Sequence, residues 1–365
     1  MTESLGSTAA DPAGDGVPER MRAARYRRAE RSLRVEDVPV PVPGPQEVLV
    51  RVMACGICLS DVHLMDGSLR TPLEVLTPGH EASGVIARVG AQVPAFWQPG
   101  RRVVMSGGRA CGACANCARG HGQGACLNFQ IMGFQYDGAW AEYIVVPYLC
   151  LTPIPDTLPF EQAAILADAV STPYAGLVDR GALRAGEAVA LWGIGGLGVH
   201  AVRIARMVGA APIIAVDTLP AARERALAAG ADAALDPADD DVPARIRELT
   251  GGLGVDLAVD LVGANAVLAQ AAASIGRNGR VVMIGLSPEP VQLGPGVVFG
   301  VRSQSLLGHL GYRKEHLDQL VTLVTHGRLD VSASISDVMP LEDVARGVER
   351  LASKEGNPIR LIVRP

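Results

Sequence analysis

The sequence predicts a two-domain α/β protein, in which a doubly wound parallel sheet accompanies a second, β-rich domain. The chain has 365 residues, which suggests about two domains at ~150 residues each. Short apolar runs bounded by glycine dominate residues 21–146 and are typical of strands. From about Gly186 to Leu286, strands and amphipathic helices alternate. Such alternation indicates parallel strands joined by crossover helices.

Composition and charge narrow the functional classes. Apolar residues make up 48% of the chain and charged residues 19%, which is ample for packed cores. The net charge of −5 argues against a nucleic-acid partner. No apolar run reaches the ~20 residues of a membrane helix. Residues 1–20 are small and polar and lack the apolar stretch of a secretory signal, so we expect a disordered N-terminal extension and a cytoplasmic protein.

A glycine-rich turn follows the predicted strand AVALW and opens a helix. It fits the pattern G-x-G-x-x-G, which in this context is typical of Rossmann-type dinucleotide sites; its residues are Gly193, Ile194, Gly195, Gly196, Leu197 and Gly198. Asp217 ends the next strand, at a distance where an acid can bind the ribose 2′-OH and repel a 2′-phosphate. The pattern therefore favours NAD over NADP, with a turn that binds nothing as the alternative.

Four of the seven cysteines form a compact cluster with the spacing C-x2-C-x2-C-x8-C, namely Cys111, Cys114, Cys117 and Cys126. The residues between them are small and polar and cannot build a core. In a reducing compartment, four thiolates suit a closed tetrahedral zinc site with a structural role. An iron–sulfur cluster is the alternative, and His121 within the loop is the natural substitute ligand for Cys126.

A second set of potential ligands is dispersed along the chain. Cys58, Ser60, Asp61 and His63 lie within six residues, His80 and Glu81 follow after a short loop, and Asp168 lies far off. Together they offer a thiolate, an imidazole and a carboxylate, and three such ligands with one open position define a catalytic zinc site. Spacing alone does not bring Asp168 to the thiolate and the imidazole, so Glu81 is the alternative carboxylate. Cys55 and Cys58 also form C-x-x-C, but the redox interpretation lacks the required βαβ context.

Several longer motifs occur in a fixed order: CGICLSDVH, PGHEASG, the four-cysteine loop, DGAWAEYIVVP, LADAVSTPYAGL and WGIGGLG. With them the chain resembles the zinc-containing alcohol dehydrogenases of the medium-chain dehydrogenase/reductase superfamily over residues 21–365. The resemblance implies a GroES-like catalytic domain from residues 21–172 and 311–365, with a Rossmann-type NAD-binding domain at 173–310. It also implies a homodimer or homotetramer, with the strand SLLGHL at the subunit interface.

The resemblance also assigns two zinc ions per chain. Cys58, His80 and Asp168 would hold the catalytic zinc, with Glu81 as an alternate ligand and Asp61 orienting His80. The structural zinc would be held by Cys111, Cys114, Cys117 and Cys126. The gap before Cys126 is one residue longer than is usual in the family.

The implied reaction transfers a hydride between an alcohol, or its aldehyde or ketone, and NAD(H). Ser60 would touch the substrate oxygen, and His63 would end a proton relay at the surface. The implied cofactor contacts are Thr172 at the nicotinamide, Val262, and Arg360 at the pyrophosphate. Gly107 stands where relatives often carry a bulky wall residue, which hints at a roomy pocket for a bulky or secondary alcohol.

Two other hypotheses compete with this one. The first is a zinc-free NADPH quinone or enone reductase of the same fold, although such relatives lack the four-cysteine loop. The second is a non-enzymatic NAD-binding protein derived from the family. The natural substrate is not determined by the sequence.

Overall fold

The computed structural model describes residues 16–238 and 240–365. Residues 1–15 of the predicted N-terminal extension lie outside this part of the chain. The extension was expected to reach residue 20, but the first strand begins at Arg20. The Glu19 carbonyl also accepts a hydrogen bond of 2.9 Å from the Val40 N–H. Glu19 and Arg20 therefore belong to the folded domain.

A six-stranded parallel sheet forms one half of the described chain, confirming the predicted doubly wound fold. Its spatial order is β13-β12-β11-β14-β15-β16. The strands are β11 (Val189–Trp192), β12 (Ile213–Val216), β13 (Ala233–Leu235), β14 (Val255–Asp260), β15 (Ile275–Met283) and β16 (Ser305–Gly308). The order reverses at β11, which lies between β12 and β14, and the carboxyl ends of strands at such a point form a ligand crevice.

Helices cover both faces of this sheet, so its central strands are apolar throughout. They are α5 (Gly198–Val208), α6 (Pro220–Ala229), α7 (Val242–Leu249), α8 (Asn265–Ser274) and α9 (Gly296–Arg302). Helix α5 starts inside the glycine-rich turn and ends at Gly209, whose φ of 91° closes the helix in the left-handed region.

The β-rich half contains a mixed seven-stranded sheet, joined by strands from both ends of the chain. Its order is β10-β6-β5-β3-β18-β17, with β9 also paired to β3. The strands are β3 (Glu47–Ile57), β5 (Ala82–Val89), β6 (Arg102–Met105), β9 (Tyr143–Pro147), β10 (Leu151–Pro153), β17 (Ile335–Pro340) and β18 (Arg360–Arg364). Because β18 pairs antiparallel with β3, the chain returns to this half after the parallel sheet.

Smaller elements complete the β-rich half. A three-stranded sheet contains β1 (Arg20–Arg27), β2 (Ser32–Pro39) and β4 (Val75–Leu76), and a two-stranded one contains β7 (Gly108–Arg109) and β8 (Gln130–Ile131). The helices are α1 (Leu59–Asp66), α2 (Ala115–Ala118), α10 (Lys314–Thr325) and α11 (Val344–Ser353). No helix among the described residues has both the length and the apolar character needed to cross a membrane.

A helical stretch from Phe160 to Arg180 joins the two halves. It consists of α3 (Phe160–Ile165) and α4 (Ser171–Tyr174), each followed by a π-helical segment, Leu166–Val170 and Ala175–Arg180. Its apolar side chains share one core with residues of both halves, such as Val104 and Leu191. The π-helical turns, which recur at functional sites, were not predicted from the sequence.

One predicted strand end was wrong. The strand EVLVRVMACGI was expected to break at Gly56, yet β3 continues to Ile57. A Cβ atom at Gly56 would lie 2.2 Å from Glu81 Oε2. The glycine therefore makes room for a buried carboxylate instead of ending the strand.

Candidate active site

Helix α1 presents the first group of predicted site residues. Cys58 precedes the helix in an extended conformation, and its N–H donates a 2.8 Å hydrogen bond to Asp61 Oδ2. This bond satisfies a donor at the helix start and fixes the Asp61 carboxylate. The other oxygen, Oδ1, lies 3.4 Å from His80 Nδ1. Asp61 is completely buried, so it orients both the helix start and the imidazole.

His80 and Glu81 stand just before β5 and point into the same buried space. His80 is 6% exposed and Glu81 is fully buried. Both carboxylate oxygens of Glu81, and His80 Nδ1, are buried without a well-formed hydrogen bond to any described residue. Buried polar atoms of this kind are costly unless a further group satisfies them.

Asp168 comes from the π-helical segment Leu166–Val170 and completes this group. Its Oδ2 lies 3.3 Å from Cys58 Sγ and 3.7 Å from His80 Nε2. Thr172, one helical turn further on, donates a 2.6 Å hydrogen bond to Asp168 Oδ1. One ligand atom each from Cys58, His80, Glu81 and Asp168 lies within 4.8 Å of the others. The fold thus brings together residues that the spacing alone could not.

The buried carboxylates of this cluster would favour a bound dication. Burial lowers the pKa of His80, but the carboxylates of Asp61 and Asp168 outweigh it and raise the pKa well above its ordinary value. Burial raises the pKa of Glu81 to about 8, although the Arg360 charge opposes this. A thiol, an imidazole and carboxylates converging in a buried space form the ligand set that zinc prefers. The residues present therefore fit the metal.

Arg360 in β18 lies between this cluster and the glycine-rich loop. Its Nη2 is 3.2 Å from Glu81 Oε1, and the side chain is 2% exposed. Its Nη1 donates to the Ile57 carbonyl at 3.2 Å. A Cβ atom at Gly196 would lie 3.4 Å from the guanidinium carbon. The predicted pyrophosphate contact is thus adjacent to the loop, but its charge is also paired with Glu81.

Ser60 and His63 lie on one face of α1, three residues apart. Ser60 Oγ is 3.4 Å from His80 Nε2, next to the ligand cluster. The His63 side chain is 43% exposed, with Nδ1 3.4 Å from Asp66 Oδ2. One residue is therefore beside the cluster and the other beside solvent, as a proton path requires.

The four-cysteine loop forms a second, separate ligand group with its sulfur atoms within 4.8 Å of one another. The Cys111 N–H donates to Cys126 Sγ at 3.2 Å, so the longer final gap does not displace Cys126. N–H groups of Cys117 and Leu127 lower the pKa of Cys114 to about 6, which favours a thiolate. His121 is exposed and lies outside the group.

The glycine-rich loop lies at the carboxyl end of β11, in the crevice of the parallel sheet. Gly193 has φ of 88°, and a Cβ atom there would lie 2.7 Å from Val262 Cγ2. Asp217, at the end of β12, accepts a 2.7 Å hydrogen bond from the Ile194 N–H. Gly193, Asp217 and Val262, three of the predicted cofactor residues, therefore surround one crevice.

Tyr312 is a site residue that the sequence did not reveal. Its hydroxyl accepts a 2.8 Å hydrogen bond from the Gly107 N–H. A Cβ atom at Gly107 would lie 3.6 Å from that oxygen and 3.1 Å from the His80 carbonyl. The phenol thus fills the space beside Gly107 that was expected to widen the pocket. The two residues are 205 positions apart, so no local pattern could have indicated the contact.

Comparisons with known proteins agree with this geometry. Residues 44–156 match the alcohol dehydrogenase GroES-like domain, and residues 196–326 match the zinc-binding dehydrogenase domain. An alcohol dehydrogenase of Geobacillus stearothermophilus is 34% identical over 92% of this chain and 98% of its own. A sorbitol dehydrogenase of Bacillus subtilis is 31% identical over 96% and 98%.

A solved structure extends the likeness to three dimensions. Alcohol dehydrogenase TADH from Thermus sp. ATN1 superposes with a TM-score of 0.87 and 31% identity, covering 94% of this chain and 99% of that one. The fold, the two ligand clusters and the relatives all indicate the same family. The chain belongs to the zinc-binding alcohol dehydrogenases of the medium-chain dehydrogenase/reductase superfamily and is an oxidoreductase of that class.

Proposed function

We propose that this protein is an NAD-dependent alcohol dehydrogenase with one catalytic and one structural zinc per chain. The observation that carries the proposal is the convergence of Cys58, His80 and Asp168 beside the glycine-rich crevice. Zinc held there would act as a Lewis acid on the alcohol oxygen, while the nicotinamide takes up the hydride. Glu81 is the alternate ligand.

The chain's own residues would handle the proton. Ser60 lies beside His80 and is placed to accept the hydroxyl proton of the alcohol. His63, on the exposed side of the same helix, would pass it to solvent. Thr172 fixes Asp168 through its hydroxyl and would also border the nicotinamide.

The specificity for NAD rests on Asp217. Its carboxylate lies at the end of β12 beside the loop, where a ribose would bind. A 2′-phosphate would meet this negative charge at close range, whereas a 2′-hydroxyl can donate to it. Arg223 lies close to Asp217, and its Nη1 donates a 2.8 Å hydrogen bond to the Asp217 carbonyl. The same nitrogen is 2.8 Å from Asp236 Oδ2, which pairs with the Arg223 charge.

We infer that two copies of the chain associate through β16. Among the described strands, β16 pairs with β15 alone and forms the edge of the parallel sheet. The adjoining helix α9 exposes 71% of Val297 and 64% of Val301. An apolar, unpaired edge of this kind is a surface for strand pairing with a second copy.

The proposed domains are residues 21–172 with 311–365, extended at the start by Glu19 and Arg20, and residues 173–310. The hydrogen bond of 2.5 Å from Thr152 Oγ1 to Asp318 Oδ1 supports the assignment of α10 to the catalytic half. We also propose a cytoplasmic location, since none of the seven cysteines, which all lie among the described residues, forms a disulfide bond.

The decisive experiment combines metal analysis with a substrate screen on protein purified without chelators. We expect close to two zinc ions per chain and NAD+ reduction with some members of a graded panel of primary, secondary, aromatic and polyol alcohols. Protein that lacks zinc and reduces quinones with NADPH would instead be a zinc-free reductase. Protein that binds zinc and NAD but turns over no alcohol or aldehyde would be a non-enzymatic relative.

A further inference from the structure

A buried histidine, His200, forms a hydrogen bond to the glycine-rich loop on its buried side. His200 is fully buried in the first turn of α5, and its Nδ1 lies 2.7 Å from the Gly196 carbonyl oxygen. On the other side of the ring, Nε2 lies 2.9 Å from Ser334 Oγ. Ser334 belongs to the 3-10 turn Ser332–Ser334, directly before β17. The imidazole therefore connects the loop to the segment that leads back into the β-rich half.

The direction of each hydrogen bond in this chain follows from chemistry. A carbonyl oxygen can only accept, so Nδ1 carries the proton, and in a neutral ring Nε2 must accept from the Ser334 hydroxyl. Ser334 Oγ in turn accepts from Arg203 Nη1 at 2.9 Å. Burial, reinforced by the charges of Arg360 and Arg203, lowers the pKa of His200 to about 3. The ring is therefore neutral. The Ala169 carbonyl also faces the ring but contributes less than the 2.7 Å contact with Gly196, so the proton is assigned to Nδ1.

The peptide group that His200 holds has its N–H on the opposite side. Gly196 C=O and Leu197 N–H belong to one planar trans peptide, in which the two groups point in opposite directions. Because His200 draws the carbonyl toward the buried side, the Leu197 N–H faces the half-exposed side of the loop. This is the start of α5, where free N–H groups and the helix dipole favour an anion.

Among the described residues, His200 gives the Gly196–Leu197 peptide its side-chain hydrogen bond. A Cβ atom at Gly196 would lie 2.8 Å from the Ile359 carbonyl, so the backbone is already packed closely against the catalytic half. The hydrogen bonds from Arg225 and to Asp217 act on Ile194, two residues earlier. His200 is thus the side chain placed to orient the Gly196–Leu197 peptide.

We propose that His200 is a positioning residue for the cofactor, orienting the Gly196–Leu197 peptide so that its N–H faces the pyrophosphate of the nicotinamide dinucleotide. The inference rests on the proposed function insofar as the loop binds NAD(H). His200 acts through the loop and is remote from the alcohol, so it should affect cofactor affinity more than turnover.

Two amide substitutions test the two ring nitrogens of His200 separately. The amide nitrogen of Asn can occupy the place of Nδ1, so His200→Asn keeps a donor for Gly196 and loses Ser334. The longer amide of Gln reaches the place of Nε2, so His200→Gln keeps Ser334 and loses the donor for Gly196. We expect the NADH dissociation constant to rise about 10-fold in His200→Gln and to stay within about 3-fold in His200→Asn.

The measurements are NADH titration, KM for NAD+, KM for the alcohol, kcat and the thermal unfolding midpoint. A purely structural role would lower NADH affinity in step with thermal stability in both variants, and that result would overturn the proposal. Wild-type NADH affinity in His200→Gln would overturn it as well. Wild-type protein that binds neither NADH nor NADPH would contradict the proposed function itself.

A measurement on the wild-type protein keeps the test independent of variant folding. Nitrogen-15 NMR of labelled histidines should show His200 protonated at Nδ1 and unchanged between about pH 5 and 9. A proton on Nε2, or titration in that range, would contradict the proposal even if no variant folds.

Discussion

The two ligand clusters of this protein differ in how the chain builds them. The four-cysteine loop takes all its sulfur atoms from one short segment, and backbone N–H groups of the same segment orient them. The proposed catalytic cluster of Cys58, His80, Glu81 and Asp168 joins Cys58 to Asp168 across 110 positions of sequence. The first cluster is half-exposed, whereas Cys58, His80 and Glu81 in the second are buried.

The four-cysteine cluster therefore depends on its local sequence, whereas the proposed catalytic cluster depends on the whole fold. The cysteine loop depends on its own spacing, and a bound zinc would contribute mainly to folding. The catalytic cluster depends on the fold: Gly56 admits Glu81, Asp61 orients His80, and a helical stretch between the halves delivers Asp168. Mutations in the two clusters should therefore have different consequences.

The largest effect is expected for Asp168→Ala. Removing this carboxylate should lower zinc content from about two ions per chain to one and reduce kcat on the order of 10³-fold or more. Metal analysis and steady-state kinetics measure both. Asp179→Ala, on the same helical stretch but exposed, is the control and should retain both ions. Survival of both zinc ions in Asp168→Ala would assign the third ligand to Glu81.

Cys114→Ser removes one sulfur ligand from the four-cysteine cluster. The variant should also fall to about one zinc per chain, but with a thermal midpoint lowered by about 5–10 °C. Turnover per folded molecule should stay close to wild type, because the catalytic ligands are untouched. Cys150→Ala, at a buried thiol outside both clusters, should keep both ions. Loss of turnover without loss of stability in Cys114→Ser would contradict the local role of this loop.

Ser60→Ala should separate ligand binding from proton transfer within the catalytic cluster. Zinc content should remain near two, while kcat falls about 100-fold, because the hydroxyl proposed to accept the alcohol proton is lost. Ser32→Ala, at a half-buried serine on β2 in a different sheet, is the control. Full turnover in Ser60→Ala would remove this residue from the relay.

The smallest effect is expected at the cofactor crevice, which lies outside both clusters. Asp217→Ala should shift the ratio of kcat/KM for NAD+ and NADP+ about 10-fold toward NADP+, because the charge that repels a 2′-phosphate is removed. Asp236→Ala tests whether freed Arg223 adds to this shift. An unchanged ratio in Asp217→Ala would exclude the ribose assignment.

The sequence was informative wherever a function depends on neighbouring residues. Strand–helix alternation predicted the parallel sheet, and the structure confirms it. The glycine pattern with Asp217, and the cysteine spacing, each lie within one segment whose local geometry follows from residue type. The predicted strand end at Gly56 was wrong because the glycine makes room for the Glu81 carboxylate, which comes from the segment just before β5.

What the sequence alone determined, then, was the fold class, the family resemblance and the types of side chain available for metal and nucleotide binding. Only the tertiary structure decided that Tyr312 fills the space beside Gly107, that Arg360 pairs with Glu81, and that Ser334 supports His200. The physical reason is distance along the chain. These contacts join residues brought together by packing of whole elements, and no local preference of the backbone encodes them.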